Sequence, residues 1–217
     1  MSCASCHFEG GIDGRTWRIC AGPRNTQTLE GIADSLPLHW SADRDEVQDF
    51  EFTIRTLQAG GGLIRGQTPN LELGSSNAGL SEDLDALAAY VLSIKRKPSP
   101  FALDGPAIER GREIFSSPGV GCNNCHPPPR YTDSSMSAYP FTLHDVGTGD
   151  NPAERMGSAF DTPSLRGIWD TAPYLHDGSA SNLRDVLRTR NPQDRHGRTS
   201  QLNESELNDL AAFLLSL

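Results

Sequence analysis

The sequence predicts an all-α fold in which two similar domains follow one another and carry long loops. Residues 25–37 match residues 161–173 at a constant offset of 136, with Thr, Leu, Gly, Ile, Asp and Pro in the same places. Residues 87–94 match residues 210–217, and both have the composition of a closing amphipathic helix. Alternating runs of β-branched residues, which would indicate strands, are missing.

The boundary between the domains is predicted in the segment Lys95-Arg-Lys-Pro-Ser-Pro100, because its prolines stop the preceding helix. Domain 1 is then residues 1–97 and domain 2 residues 98–217. Each domain has a cysteine motif, a Thr-x-x-Leu-x-Gly-Ile turn, a proline-containing loop, a short helix and a closing helix. Domain 2 has the longer loop after its cysteine motif, over residues 127–160.

Helix start signals support this plan. Residues 105–115 predict a helix with Pro106 in its first turn, leading into the second cysteine motif. We expect domain 1 to be without this leading helix, because its cysteine motif follows Met1-Ser2 directly. Asn203, with Glu206 three positions later, predicts a capping box at the start of the closing helix of domain 2. Ser81 is the corresponding cap in domain 1.

Composition excludes two classes of function. The 217 residues include 19 Lys and Arg against 28 Asp and Glu, a formal net charge of −9. Nucleic acid is therefore not an expected partner, since phosphate binding needs a clustered positive surface. No transmembrane segment is expected either, because the longest apolar stretches fall far short of the roughly 20 residues that a spanning helix needs.

Four of the five cysteines lie in two Cys-x-x-Cys-His motifs, the attachment signature of c-type haem. Thiols at positions i and i+3 of a helical turn lie on one face and can both reach one porphyrin. The adjacent histidine then becomes the proximal iron ligand. The predicted haem-binding residues are Cys3, Cys6 and His7 in domain 1 and Cys122, Cys125 and His126 in domain 2.

Three other interpretations of these cysteines are weaker. A four-thiolate zinc site usually separates its pairs by roughly 15–20 residues, whereas here the second pair begins 119 positions after the first. A disulfide framework would leave Cys20 unpaired, and a thioredoxin-like motif needs a βαβ pattern that is absent. We therefore predict two covalently attached haem c groups, one in each domain. Cys20 is expected to be a small buried residue.

With these motifs, the chain resembles the bacterial di-haem cytochrome c peroxidase and MauG-type family. The resemblance covers most of the chain, and its specific segments include Thr162-Pro-Ser-Leu-Arg-Gly-Ile and Thr171-Ala-Pro-Tyr-Leu-His-Asp-Gly178. It implies two cytochrome c-like domains whose haems face a shared interface. In Pro37-Leu-His-Trp-Ser-Ala-Asp-Arg44, which matches a family pattern, the resemblance makes Trp40 the residue between the haems.

The chain departs from the peroxidase pattern at the catalytic positions. The family has a distal histidine soon after the first haem motif and a glutamate beyond the tryptophan. No histidine lies between His7 and Asn25, and the stretch over residues 56–62 has no carboxylate. We therefore assign no catalytic residue and favour electron transfer over peroxide reduction.

The sixth iron ligands decide between these functions, because an open iron binds substrate and a six-coordinate iron does not. His196 is the first choice for the second haem, with a solvated loop histidine as the alternative. Met156 is its competitor, and His39 is a candidate for the first haem. Arg166 is expected either to pair with a haem propionate or to form a surface ion pair. His176 is expected to fix its loop by hydrogen bonding.

The sequence thus predicts a di-haem cytochrome c that passes single electrons between redox protein partners in the periplasm or another extracytoplasmic space. The alternative is a peroxidase-type enzyme that reduces hydrogen peroxide at a five-coordinate first haem. A third hypothesis is a haem-bearing domain that is fused to or docked on a larger enzyme. Because no signal peptide precedes Cys3, we expect a mature or trimmed fragment, or the haem-bearing end of a longer polypeptide.

Overall fold

The computed structural model describes residues 2–101, 105–137, 139–150 and 152–217. Within them the α-helices are α1 (Phe50–Arg55), α2 (Glu82–Ser93), α3 (Pro106–Ser116) and α4 (Glu204–Leu215). Short 3₁₀ turns span Cys3–Ser5, Phe8–Gly10, Ile32–Asp34, Val47–Asp49, Cys122–Asn124 and Ile168–Asp170, and a π-helical turn spans Asp185–Thr189. Loops connect these elements. None of the helices in the described ranges is long and apolar enough to cross a membrane.

The helices begin where the caps predict. Pro106 is the first residue of α3, and the Ser81 side chain caps α2 by accepting a hydrogen bond from the Leu84 amide. At α4, the Asn203 side chain accepts from the Glu206 amide at 3.1 Å, and the Glu206 carboxylate accepts from the Asn203 amide at 2.8 Å. This reciprocal pair is the predicted capping box.

The expectation of an all-α fold is too narrow, because the chain also forms a two-stranded β-hairpin. Strand β1 (Thr16–Ile19) pairs antiparallel with β2 (Gly22–Asn25), with Thr16 opposite Asn25. The connecting turn has two residues, and Gly22 follows it with a φ of +117° that side chains rarely adopt. Strands this short carry little alternating pattern, which is why the sequence did not indicate them.

The prediction that Cys20 is buried is wrong. Cys20 is exposed and is the first residue of the hairpin turn. A two-residue turn projects away from the strands that it joins, so its side chains face solvent. Burial of free cysteine is a tendency of the residue type, and here the local backbone overrides it.

The predicted repeat is visible in the backbone. Gly31 and Gly167, which are 136 positions apart, both adopt left-handed φ values (68° and 80°) and open a 3₁₀ turn. The Gly31 amide donates to the Ile94 carbonyl at 2.9 Å, and the Gly167 amide donates to the Leu217 carbonyl at 3.1 Å. Each closing segment is therefore tied to its own turn by the same hydrogen bond.

The loops after these turns also correspond. Leu38 bridges to Arg44, and Tyr174 bridges to Ala180, again at the offset of 136. Two clusters of buried apolar side chains lie under the repeats. One includes Ile32, Leu38, Val47, Ala88 and Val91, and the other includes Ile108, Phe115, Leu187, Leu210 and Phe213. The exact domain boundary at residues 97 and 98 stays a prediction.

Helices α3 and α4 pack closely in the second half. Gly111 permits this approach, because a Cβ atom there would overlap with the Asp209 carbonyl oxygen. Beside it, the Arg110 guanidinium donates two hydrogen bonds to the Asp209 carboxylate, at 2.7 and 2.9 Å. The helix that precedes the second cysteine motif is thus fixed to the closing helix.

Candidate functional site

The two Cys-x-x-Cys-His motifs adopt the same turn. In both, the amide of the second cysteine donates to the carbonyl of the first (3.1 and 3.3 Å), and the histidine amide donates to the same carbonyl (2.8 and 3.0 Å). All five cysteines carry free thiols, so the structure contains no disulfide framework. One turn therefore presents two thiols and an imidazole together, as covalent haem attachment requires. These residues are Cys3, Cys6 and His7, and Cys122, Cys125 and His126.

The His126 imidazole is oriented as a metal ligand would be. Its Nδ1 lies 3.0 Å from the Tyr131 carbonyl oxygen, to which it can donate, and this leaves Nε2 as the nitrogen that can bind iron. Burial lowers the pKa of His126 to about 4, and the nearby His196 acts in the same direction. The ring is therefore neutral at ordinary pH, which is the form that coordinates a metal.

His196 lies close to this ring. The two ring centres are 6.4 Å apart, with an angle of 37° between the planes. A metal ion held by two imidazole nitrogens at about 2 Å each needs ring centres roughly 6 Å apart. Burial lowers the pKa of His196 as well. The structure therefore brings together two neutral imidazoles with the spacing that one iron would require.

Asn191 fixes the loop that carries His196. This buried side chain accepts a hydrogen bond from the His196 amide at 2.8 Å and donates to the carbonyls of His196 and Gly197 at 3.1 and 2.7 Å. Its amide nitrogen also lies 2.8 Å from the Thr199 hydroxyl. No pattern in the sequence indicated this role, because an Asn-Pro pair in a loop is typical of an ordinary turn.

The competing ligand Met156 lies on the surface. Met156 is 54% exposed, and its amide donates to the Glu154 carboxylate at 2.9 Å. Its backbone thus belongs to the turn that positions Glu154. The structure places His196 beside His126, and it does not place Met156 there.

The first motif has a more open arrangement. His7 Nδ1 is buried and has no hydrogen-bond partner among the described residues. Burial lowers the pKa of His7, against the opposing effect of nearby backbone groups and Asp13. The His39 Nδ1 is 2.8 Å from Asp43 Oδ1, and its ring packs edge-on against Phe50 at 4.8 Å. A carboxylate behind a histidine is a common partner of metal-binding imidazoles.

Trp40 lies where the two halves meet. Its indole Nε1 donates to the Asn25 carbonyl at 3.1 Å, and its ring stands edge-on to His176. A residue between the haem motifs is expected at such a junction. The role of Trp40 between two haems stays a prediction.

Arg166 forms a surface ion pair. Its guanidinium lies 3.6 Å from the Asp34 carboxylate, and the Arg166 side chain is 43% exposed. Arg96 donates to the Arg166 carbonyl at 2.6 Å. These contacts match the alternative given for Arg166 from the sequence, and the propionate role stays a prediction.

A cluster beside the second motif was not expected. His144 Nε2 lies 2.7 Å from Asp133 Oδ2, and His144 Nδ1 lies 3.5 Å from the Cys125 sulfur. These three side chains could hold a metal ion. The Cys125 sulfur is also one of the two attachment points of the second motif, so the cluster belongs to the same site.

Comparisons with known proteins identify relatives along the whole chain. A family described as RoxA-like, cytochrome c-like matches residues 159–197. The chain is 30% identical to hydrazine synthase subunit gamma of Kuenenia stuttgartiensis, covering 100% of this chain and 72% of the relative. It is 27% identical to the methylamine utilization protein MauG of Methylophilus methylotrophus (100% and 76%) and 25% identical to cytochrome c551 peroxidase of Nitrosomonas europaea (100% and 74%).

A solved structure has a similar fold. Hydrazine synthase from Kuenenia stuttgartiensis superposes with a TM-score of 0.74 at 27% identity, covering 100% of this chain and 81% of that chain. The cytochrome c-like arrangement expected from the sequence is thus supported, with a β-hairpin added to its helices.

Proposed function

Since the chain belongs to the family of c-type haem proteins that contains MauG and the cytochrome c peroxidases, we propose that it binds two covalent haems and passes single electrons between redox partner proteins. The observation that carries this proposal is the pair of imidazoles at the second motif, whose ring centres are 6.4 Å apart. Two protein ligands on the second iron would leave that iron no position for peroxide, so it would serve electron transfer.

The chain's own residues would hold the second haem in a fixed position. Cys122 and Cys125 would anchor it, His126 and His196 would supply nitrogen ligands to its iron, and Asn191 keeps the His196 loop in place. A haem iron held in this way supplies reversible one-electron oxidation and reduction. Because the loop is held by a buried side chain, His196 is preorganised as a ligand.

The first haem would be anchored by Cys3 and Cys6 with His7 as its proximal ligand. His39 is the candidate for the other side, because the Asp43 carboxylate lies behind its Nδ1. In this proposal both irons are six-coordinate.

Peroxide reduction at the first haem is the second candidate. One observation favours it: the described residues give His7 no ring partner like the one that His196 gives His126. The name of the Nitrosomonas relative, cytochrome c551 peroxidase, points the same way.

Partners and location follow from charge and from the haem type. With a net charge of −9, the chain is suited to a basic redox partner in a small, salt-sensitive encounter. Covalent haem c supports a periplasmic or other extracytoplasmic location. The word subunit in the name of the Kuenenia relative supports docking onto a larger enzyme as a further option.

Spin state and peroxide turnover test this proposal together. The oxidised holoprotein is expected to show two low-spin haems, and peroxide turnover with a reduced donor is expected to stay below about 1 per second. His39→Ala should convert the first haem alone to high spin. A wild-type protein with one high-spin haem and peroxidase-like turnover would instead establish the second candidate.

A further inference from the structure

A pair of acidic side chains, Asp133 and Asp161, lies beside the second cysteine motif. The Asp133 amide donates to the Cys125 carbonyl at 2.9 Å, so the segment after the motif folds back against it. The hydroxyl of the next residue, Ser134, donates to Asp161 Oδ2 at 3.0 Å. Asp161 is therefore fixed to the same short segment that contacts the second motif.

The Asp161 carboxyl has one oxygen that is free to take a proton. Asp161 is only 7% exposed, and its Oδ1 is buried without a hydrogen-bond partner among the described residues. No ion pair in the described parts of the chain includes Asp161 either, whereas Asp133 Oδ2 lies 2.7 Å from His144 Nε2. The charged form is therefore stabilised at Asp133 by a neighbouring imidazole, and Asp161 has no such partner.

The surroundings of Asp161 favour its neutral form. Burial raises the pKa of Asp161 to about 7, the hydrogen bond from Ser134 opposes this shift, and the charge of Asp133 adds to it. Loss of water and a nearby like charge are both known to favour the protonated carboxyl. A small further change in local charge is then enough to change the protonation of Asp161 at ordinary pH.

Charged groups on the other side of this carboxyl cancel. The preceding residue, Phe160, stacks on His176, whose Nδ1 lies 3.1 Å from the Thr148 hydroxyl. Burial lowers the pKa of His176, so this ring is neutral. The Arg24 guanidinium, 5.7 Å from the centre of the Phe160 ring, donates to the Glu154 carboxylate at 2.5 and 2.8 Å. These groups therefore add no net charge beside Asp161.

We propose that Asp161 takes up a proton when the second haem is reduced and releases it on oxidation. This inference rests on the proposed function. In the reduction one electron passes from the redox partner protein to the iron, and one proton passes from water to Asp161 Oδ1, where an O–H bond forms. In the oxidation the electron goes to the next partner and the proton returns to water.

The physical reason is the charge that the electron brings. An added negative charge at the second motif raises the energy of a carboxylate that already lies beside Asp133 and away from water. A proton on Asp161 removes this repulsion. Because the coupling is reciprocal, a site that binds a proton on reduction also makes the reduction easier at low pH than at high pH. The midpoint potential of the second haem should therefore fall as the pH rises.

The experiment measures the midpoint potentials of the holoprotein between about pH 5 and about pH 9, together with the protons taken up per electron in weak buffer. We expect the potential of the second haem to fall with pH at a slope that approaches one proton per electron. Asp161→Asn keeps the shape and an acceptor for Ser134 but cannot ionise, so it should lose this slope and the proton uptake. Asp133→Asn removes the like charge and should move the slope to lower pH.

The matched control is Asp209→Asn. Asp209 is as buried as Asp161, at 7% exposure, but its carboxylate accepts two hydrogen bonds from Arg110 and lies on α4. Arg110 also lowers the pKa of Asp209. This variant should have the wild-type pH dependence at both haems.

The outcomes separate this inference from the proposed function. A wild-type potential that is independent of pH, or a slope that survives in Asp161→Asn, would overturn the role of Asp161 and leave the function in place. Loss of the slope in His144→Gln but not in Asp161→Asn would assign the proton to His144 and overturn the proposal as well. A protein in which no second haem can be reduced would refute the proposed function itself.

Discussion

Replacing both Cys122 and Cys125 by alanine is expected to leave a protein with one covalent haem in place of two. The two motifs form separate turns, each closed by its own backbone hydrogen bonds, so the first can be loaded without the second. Without the sulfur atoms the second porphyrin has no covalent link, and His126 and His196 alone do not survive denaturation as an attachment. The measurement is the mass of the denatured protein, with the haem absorbance per chain.

The matched control is Cys20→Ala. Cys20 is exposed at the hairpin turn and belongs to neither motif, so this variant should retain both haems. A double variant that still carries two covalent haems would show that the second motif is not an attachment site. Loss of a haem in the Cys20→Ala variant would contradict the assignment of the thiols.

Replacing His196 by alanine is expected to convert the second haem completely from low spin to high spin. The imidazole that faces His126 would be lost, and a weak-field water would take its place at the iron. Electron-spin-resonance spectra of the oxidised protein measure the change. Asn191→Ala should give a partial conversion, because it releases the His196 loop but keeps the ligand.

Met156→Ala is the control for this prediction, since Met156 is 54% exposed and lies outside the pair. It should leave both haems low spin. An unchanged spectrum in His196→Ala, or a high-spin haem in Met156→Ala, would transfer the ligand role from His196 to Met156 or to another residue.

Local signals in the sequence predicted much of the fold. The capping box at Asn203 and Glu206 and the proline at the start of α3 depend on residues within a few positions, and both are confirmed. The repeat was also visible, because Gly31 and Gly167 need left-handed φ values that few other residues adopt. The hairpin was missed because four-residue strands carry too little periodicity.

The sequence predicted the haem motifs and the candidate ligand His196. It did not predict the contacts that surround them. Arg24 and Glu154 are 130 positions apart, and no local pattern pairs them. Asn191 acts through buried hydrogen bonds that only the folded loop creates. Trp40 and His176 occupy equivalent positions of the repeat, at the same offset of 136. The sequence comparison missed this pair, because it depended on identical residues.

The intact mass of the wild-type protein tests the central claim most directly. The chain should be produced in a host that matures c-type cytochromes, denatured and weighed, with its visible spectrum recorded beforehand. Polypeptide plus two haems is the predicted mass, with a reduced c-type spectrum. A colourless protein with the mass of the bare polypeptide would contradict it.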